Sequence, residues 1–168
     1  MRILVYSLVF VILAGCKFKQ TDKNLNFLQC EELVAFIDSY DFHRVRMGPN
    51  KILQIDGLSL YRDNTKFHNH RKLAGLVFIN DSMFCAQNNM AMWELDTIHS
   101  KVITCNCEQL IIENDAYFFI TGSWIDAIWG EVYSKKGLSG SEKDFTFDRV
   151  QEIKPNKKRA NWFHFYAD

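Results

Sequence analysis

The chain changes its hydrophobic rhythm three times, and each rhythm predicts a different element. From Ile3 to Ala14 the residues are apolar, with Tyr6 and Ser7 as mild interruptions. As a helix this run would reach about 18 Å, short of the about 30 Å core of a bilayer. Lys17–Asn24 is mostly polar, and from Leu25 apolar residues return at intervals of three and four. Leu25, Leu28, Val34 and Ile37, with Phe27, Cys30 and Leu33 beside them, predict one amphipathic helix over NLNFLQCEELVAFIDSY. Asn24 or Asn26 is placed to cap it, and Glu31 and Glu32 lie in its first half, where the helix dipole tolerates acids.

Past the loop MGPN at 47–50 the rhythm shortens to that of strands. KILQI and LSLYR flank Asp56-Gly57, a strong hairpin signal. GLVFI and MFCA around Asn80-Asp81-Ser82 predict a second hairpin, and KVITC and QLIIE two further strands. Asn114-Asp115 then turns the chain into AYFFIT. In SWIDAIWGEVYS the β-formers Trp124, Ile128, Trp129, Val132 and Tyr133 favour a strand, and Gly130 opposes a helix. KKGLSGSEKD at 135–144 predicts an exposed loop, and FTFDRVQEI and NWFHFYA close the chain around Lys154-Pro155-Asn156. Turn signals at roughly 8–12-residue spacing predict a mainly β, α+β fold. The expected architecture is an antiparallel curled sheet, sandwich or partial barrel, with one N-terminal amphipathic helix.

The first apolar run carries a motif. It follows Arg2, ends in Leu13-Ala14-Gly15-Cys16, and has the proportions of a secretory signal. Those four residues resemble the lipobox of bacterial lipoprotein precursors. The resemblance implies a diacylglycerol thioether on Cys16 and cleavage between Gly15 and Cys16. Residues 1–15 then form a lipoprotein signal peptide, 16–24 a lipidated tether, and 25–168 a single β-rich domain. The alternative is an ordinary signal peptide, or a buried first strand. Acyl chains contributing about 0.8 kcal/mol per buried CH₂ would hold the protein on a membrane. Lys17 stands where many lipoproteins retained in the inner membrane have Asp. By that analogy the expected address is the cell envelope, at the outer membrane and facing the periplasm.

Export changes the reading of the remaining cysteines, since disulfides persist in oxidising compartments. Cys30, Cys85, Cys105 and Cys107 are an even set with three pairings. A bond between Cys105 and Cys107 would close a very tight ring, so each is expected to pair with Cys30 or Cys85, tying the first helix to the sheet. A metal site of His68, His70, Cys105 and Cys107 is the competing reading, because each pair is spaced to share a strand face. A further alternative leaves some thiols buried and free.

Composition narrows the function classes. The chain has 20 basic and 20 acidic side chains, which gives no steering toward nucleic acid. Its 14 Phe, 6 Tyr and 4 Trp are chiefly core material for packed strands, yet Trp93, Trp124, Trp129 and Tyr133 are candidates for a binding surface. GLSGS lacks the G-x-S-x-G pattern of a nucleophile elbow. No catalytic residue is assigned. Asp126 and Glu131 flank the tryptophans, and His43, His68, His70, His99 and His164 are scattered. The basic run Lys154, Lys157, Lys158 and Arg159 reads as a solvated hairpin tip.

Residues 55–135, with Phe78-Ile79-Asn80-Asp81-Ser82 and Trp129-Gly130-Glu131-Val132-Tyr133, resemble small bacterial envelope lipoproteins with a calycin-like sheet. Both stretches depart from the F-x-x-D-G and W-G-x-Y turns of that group. The resemblance implies a cupped sheet and names no ligand. The expected function is non-catalytic binding of a small apolar ligand or a protein partner in the envelope, without cofactor or nucleic acid. An immunity or inhibitor lipoprotein that neutralises an exported toxin or lytic enzyme is the alternative, and an enzyme or metal-binding protein the third.

Overall fold

The structure is a computed structural model that describes residues 24–48, 51–62, 76–124, 127–138 and 150–168, with Trp124 described by its backbone alone. Cys16, the tether up to residue 23, His68, His70 and Asp126 lie outside the described residues.

Helix α1 (Phe27–Ile37) starts where Asn26 accepts a hydrogen bond from the Gln29 amide at 3.4 Å. It buries Cys30, Leu33, Val34 and Ile37, the face its spacing predicts. Strands β1 (Arg44–Met47), β2 (Leu53–Ile55) and β3 (Leu58–Tyr61) follow. Asp56 (φ 49°) and Gly57 (φ 83°) both take positive φ, as a two-residue type I′ hairpin requires. The Asp56 carboxylate also accepts from the amides of His43 at 3.0 Å and Arg44 at 2.7 Å, pinning the turn to the start of β1.

The next stretch corrects two expectations. β4 (Val77–Asn80) does not fold back into a strand but runs into helix α2 (Asp81–Gln87). Asn80 is an N-cap rather than a turn residue, its side chain accepting from the Ser82 amide at 2.8 Å. KVITC is likewise helical, the last turns of α3 (Met92–Cys105). Leu95, Ile98, Val102 and Cys105 are its buried residues, and this helical period prevails over the β preference of Val102, Ile103 and Thr104. Asn106 stops the helix in the left-handed region at φ 63°. The described residues thus hold three helices where one was expected.

Strands β5 (Gln109–Glu113), β6 (Ala116–Trp124), β7 (Ala127–Ser134), β8 (Val150–Pro155) and β9 (Trp162–Ala167) complete a nine-stranded sheet. Its order is β4-β3-β2-β1-β5-β6-β7-β9-β8, an open sheet that does not close into a barrel. The fold is mainly β, as the strand rhythm predicts. All pairs are antiparallel except β3 with β4, which are parallel.

The helices cover one face. Leu33, Ile37, Val45, Ile55, Ile98, Leu110, Phe119 and Trp162 belong to that core. On the opposite face Ile111, Ala116, Phe118, Ile120, Val132 and Phe165 form a second cluster. β6 serves both, and every residue from Ala116 to Gly122 is buried. That double burial explains why AYFFI runs apolar without alternation. At Gly130 the backbones of β6 and β7 approach so closely that a Cβ would lie 2.0 Å from the Phe119 carbonyl oxygen.

Among the described residues there is one disulfide, Cys30–Cys105. It joins α1 to α3, not helix to sheet, because Cys105 ends a helix. A cross-link over 75 residues of chain contributes roughly 2–4 kcal/mol. Lys101–Glu32 at 2.6 Å and the edge-on Phe36–Trp93 pair at 6.1 Å continue this antiparallel helix contact. Cys85 and Cys107 are buried and not disulfide-bonded, so the expected second bond is not formed. Burial pushes the Cys85 thiol up from its ordinary pKa, with the carboxylates of Asp81 and Glu94 adding to the shift. Tyr117, inside the sheet, donates its hydroxyl to Asp38 just past α1, and Lys135 reaches the other carboxylate oxygen at 2.7 Å. Those two hydrogen bonds hold the Asp38 carboxyl below its ordinary value.

Candidate functional site

Strand alternation places Trp129, Glu131 and Tyr133 on one face of β7, and Trp162, His164 and Tyr166 on one face of β9. The register then sets them opposite one another, Tyr133 by Trp162, Glu131 by His164 and Trp129 by Tyr166. The inner end of this double row is buried, and its middle and outer end reach solvent. Tyr133 and Trp162 stack into the helix-side core with ring centroids 5.2 Å apart. Trp129 is half-buried and Tyr166 is 37 % exposed at the outer end. Between them His164 Nδ1 lies 2.6 Å from Glu131 Oε1, and Asn156 donates to Glu131 Oε2 at 3.4 Å. The Glu131 side chain is only 14 % exposed. Burial raises its carboxyl above the ordinary value, opposed by the His164 and Asn156 contacts.

β8 adds the positive charge. Lys154 pairs directly with His164 across β8–β9, so Lys154, His164 and Glu131 form one cross-strand row. The connection into β9 is a tied turn. Asn156 accepts from the Lys158 amide at 3.0 Å, and its own amide donates to the Trp162 carbonyl at 2.8 Å. The Arg159 guanidinium sits over the Phe27 ring at 4.3 Å, fastening the turn to the start of α1. Lys154 is paired with Glu152. Lys157 and Lys158 are exposed and have no acidic partner among the described residues.

Trp129, Glu131, His164, Lys154, Asn156, Lys157 and Lys158 line a cleft of about 810 Å³ together with Asn24, Leu25 and Phe27. Among its described lining residues Glu131 is the one carboxylate, and none is a serine or cysteine. Trp129 owes its place to Gly122, its cross-strand partner, where a Cβ would lie 2.5 Å from the indole ring. The cleft can attract an anion, stack a ring or alkyl group on Trp129, and exchange hydrogen bonds with His164 and Asn156.

The sequence-derived candidates are not gathered in one place. Trp129 lines the cleft, and Tyr133, on the same strand face, is half-buried against Trp162 and Tyr117. Trp93 stands at the start of α3, 62 % exposed, on the helix layer. The backbone of Trp124 ends β6 opposite Ala127. The metal reading loses Cys105 to the disulfide, and Cys105 and Cys107 share no strand face. His164 and the basic run enter the site although neither was singled out for it, since only the register of β7, β9 and β8 joins them.

No known protein family matches the chain, and neither a curated protein nor a solved structure shows significant similarity to it. Fold and cleft define a mainly β domain with a helix layer and a basic, aromatic-floored groove.

Proposed function

We propose that this is a lipid-anchored protein of the bacterial cell envelope, held at the outer membrane by Cys16, that acts by binding and not by catalysis. The observation that supports it is the convergence of Trp129, the Glu131–His164 pair and the Lys154–Lys158 turn in one cleft. Its lining favours a ligand with an anionic group beside a ring or alkyl part, narrower than the apolar ligand that aromatic content alone implies. Both Glu131 oxygens are already engaged, which suits a carboxylate that orients His164 rather than one that transfers protons. No helix of the described residues is long and apolar enough to cross a membrane.

Two measurements test it. The intact mass of unreduced protein from the host membrane fraction should show residues 1–15 lost and acyl chains gained. After denaturation and alkylation, two alkyl groups should appear, on Cys85 and Cys107. Soluble glycerol 1-phosphate at millimolar concentration should slow acetylation of Lys157 and Lys158 at least threefold. Unchanged rates, both with the soluble phosphate and on anionic vesicles, would remove the cleft as a binding site.

The exposed Trp93, with Glu94 and Asp96 on the following turn, is the specific feature that favours the alternative, an immunity or inhibitor lipoprotein. In that case Trp93→Ala would abolish protection of cells against the lytic partner, and substitutions at Lys157 and Lys158 would not.

A further inference from the structure

The cleft lies where the chain from the anchor meets the domain. Asn24 and Leu25, the first described residues, form part of its wall. Seven residues separate Cys16 from Asn24, and the eight steps between them reach about 28 Å when fully extended. A lipid on Cys16 therefore keeps the cleft within one tether length of a bilayer surface. The basic turn cannot swing away from that side, because Arg159 rests on Phe27 at the base of α1 and Trp162 Nε1 donates to Glu31 at 2.7 Å.

We infer that the cleft takes the phosphodiester headgroup of an anionic lipid in the membrane that carries the protein, so that lipid and cleft together fix the orientation of the domain. The inference rests on the reading of the cleft as a binding site and of Cys16 as the anchor. Three observations carry it. Lys157 and Lys158 sit on a tied turn with no acidic partner among the described residues, and both oxygens of the sole carboxylate in the described lining are engaged by His164 and Asn156. Trp129 places an amphipathic ring in the lining, a residue type that settles at a membrane interface. The two cavities elsewhere in the described sheet mix both signs of charge, with Asp41, Asp56 and Glu113 among Arg44 and Arg46 in one and Glu108 beside Arg46 in the other. A lysine close to an anionic surface strengthens attachment about fivefold, so Lys157 and Lys158 together supply on the order of 25-fold.

The test uses the natural lipoprotein reconstituted into phosphatidylcholine vesicles, with or without a third of phosphatidylglycerol. Acetylation of each lysine is followed by mass spectrometry. Lys157 and Lys158 should react at least tenfold more slowly in the phosphatidylglycerol vesicles, with Lys51 and Lys136 unchanged. Half-molar salt should remove most of that protection, because it shortens the screening length to a few Å. A parallel arm adds soluble glycerol 1-phosphate to the neutral vesicles. Protection by the soluble phosphate alone would overturn the headgroup inference and leave the binding cleft standing. No protection in either arm would overturn both. A protein that carries no acyl chain and does not enter vesicles would overturn the inference at its anchor.

Discussion

Two grooves of this sheet are nearly equal in size and opposite in character. One, about 820 Å³, lies along β1, β2 and β5, lined by Asp41, His43, Arg44, Arg46, Asp56 and Glu113 among others. Its polar groups answer one another: Asp56 holds the His43 and Arg44 amides, Arg46 donates to Gln54, and Gln54 Nε2 donates to Ser59 at 2.8 Å. The other, about 810 Å³, lies along β7, β9 and β8, where two of three lysines lack a described acidic partner and a tryptophan forms the floor. Volume does not choose between them. In the first groove much of the hydrogen-bonding capacity is spent inside the protein, holding the β2–β3 hairpin to β1. In the second, charge is carried to the surface on a turn made rigid by Asn156 and Arg159, and rigid, uncompensated charge is what a ligand can use.

The sharpest way to break the comparison is through the backbone beneath the second groove. Gly130→Ala would drive a methyl into the Phe119 carbonyl, and neither neighbour is a flexible side chain that can give way. We expect a loss of about 3 kcal/mol, read as a lowered urea midpoint, with the basic cleft lost as β6 and β7 separate. Gly57→Ala, at a turn where a Cβ meets nothing within 4 Å, gives the strain of its positive φ alone and should cost about 1 kcal/mol. Equal losses at the two glycines would show that the close β6–β7 approach is not what holds the groove.

Next in size is charge. Lys154, the neighbouring lysine of the cleft, should share the protection in phosphatidylglycerol vesicles, and Lys157→Glu with Lys158→Glu should abolish it, with on the order of 25-fold, or about 2 kcal/mol, lost from headgroup attachment. Arg44→Glu makes a charge reversal of the same kind in the first groove and should change that protection less than twofold. If Arg44→Glu weakens it as much, general surface charge and not the cleft is responsible.

What the sequence made legible follows the range of the interaction. Helix α1 and the Asp56-Gly57 and Asn114-Asp115 turns depend on neighbours a few residues away, and all three stand where the pattern puts them. Asn80-Asp81-Ser82 is locally ambiguous, for the same three residues serve a hairpin turn or an N-cap. The choice is made by Phe84 and Cys85, which the helix-side core buries. KVITC misleads because its β-branched residues hide the period that starts further upstream at Leu95. The cleft shows the same division. Alternation puts Trp129 with Glu131, and His164 with Tyr166, on single strand faces. The β7–β9 register that sets Glu131 against His164 joins residues 33 apart and has no local signature, while Lys154 joins the row through the shorter β8–β9 pairing.

The smallest effect expected concerns Glu131, and its sign distinguishes a ligand-facing row from a structural ion pair. Burial raises the folded-state carboxyl above its unfolded value, more than the His164 and Asn156 contacts lower it. The folded protein therefore binds the proton more tightly than the unfolded chain does. Its contribution to stability is complete below the unfolded value and declines as pH rises through the folded one. Glu131→Gln keeps the shape and removes that decline. The variant should gain on the parent as pH rises from 4 to 8, ending level with it or ahead by about half a kcal/mol or less. Urea midpoints measured across that range give the comparison. A parent that instead gains on the variant with rising pH would mean that the His164 pair outweighs burial, making Glu131 a stabilising partner. A variant that gains as expected leaves Glu131 a cost borne by the fold, which fits a residue retained to hold His164 in place at the mouth of the cleft.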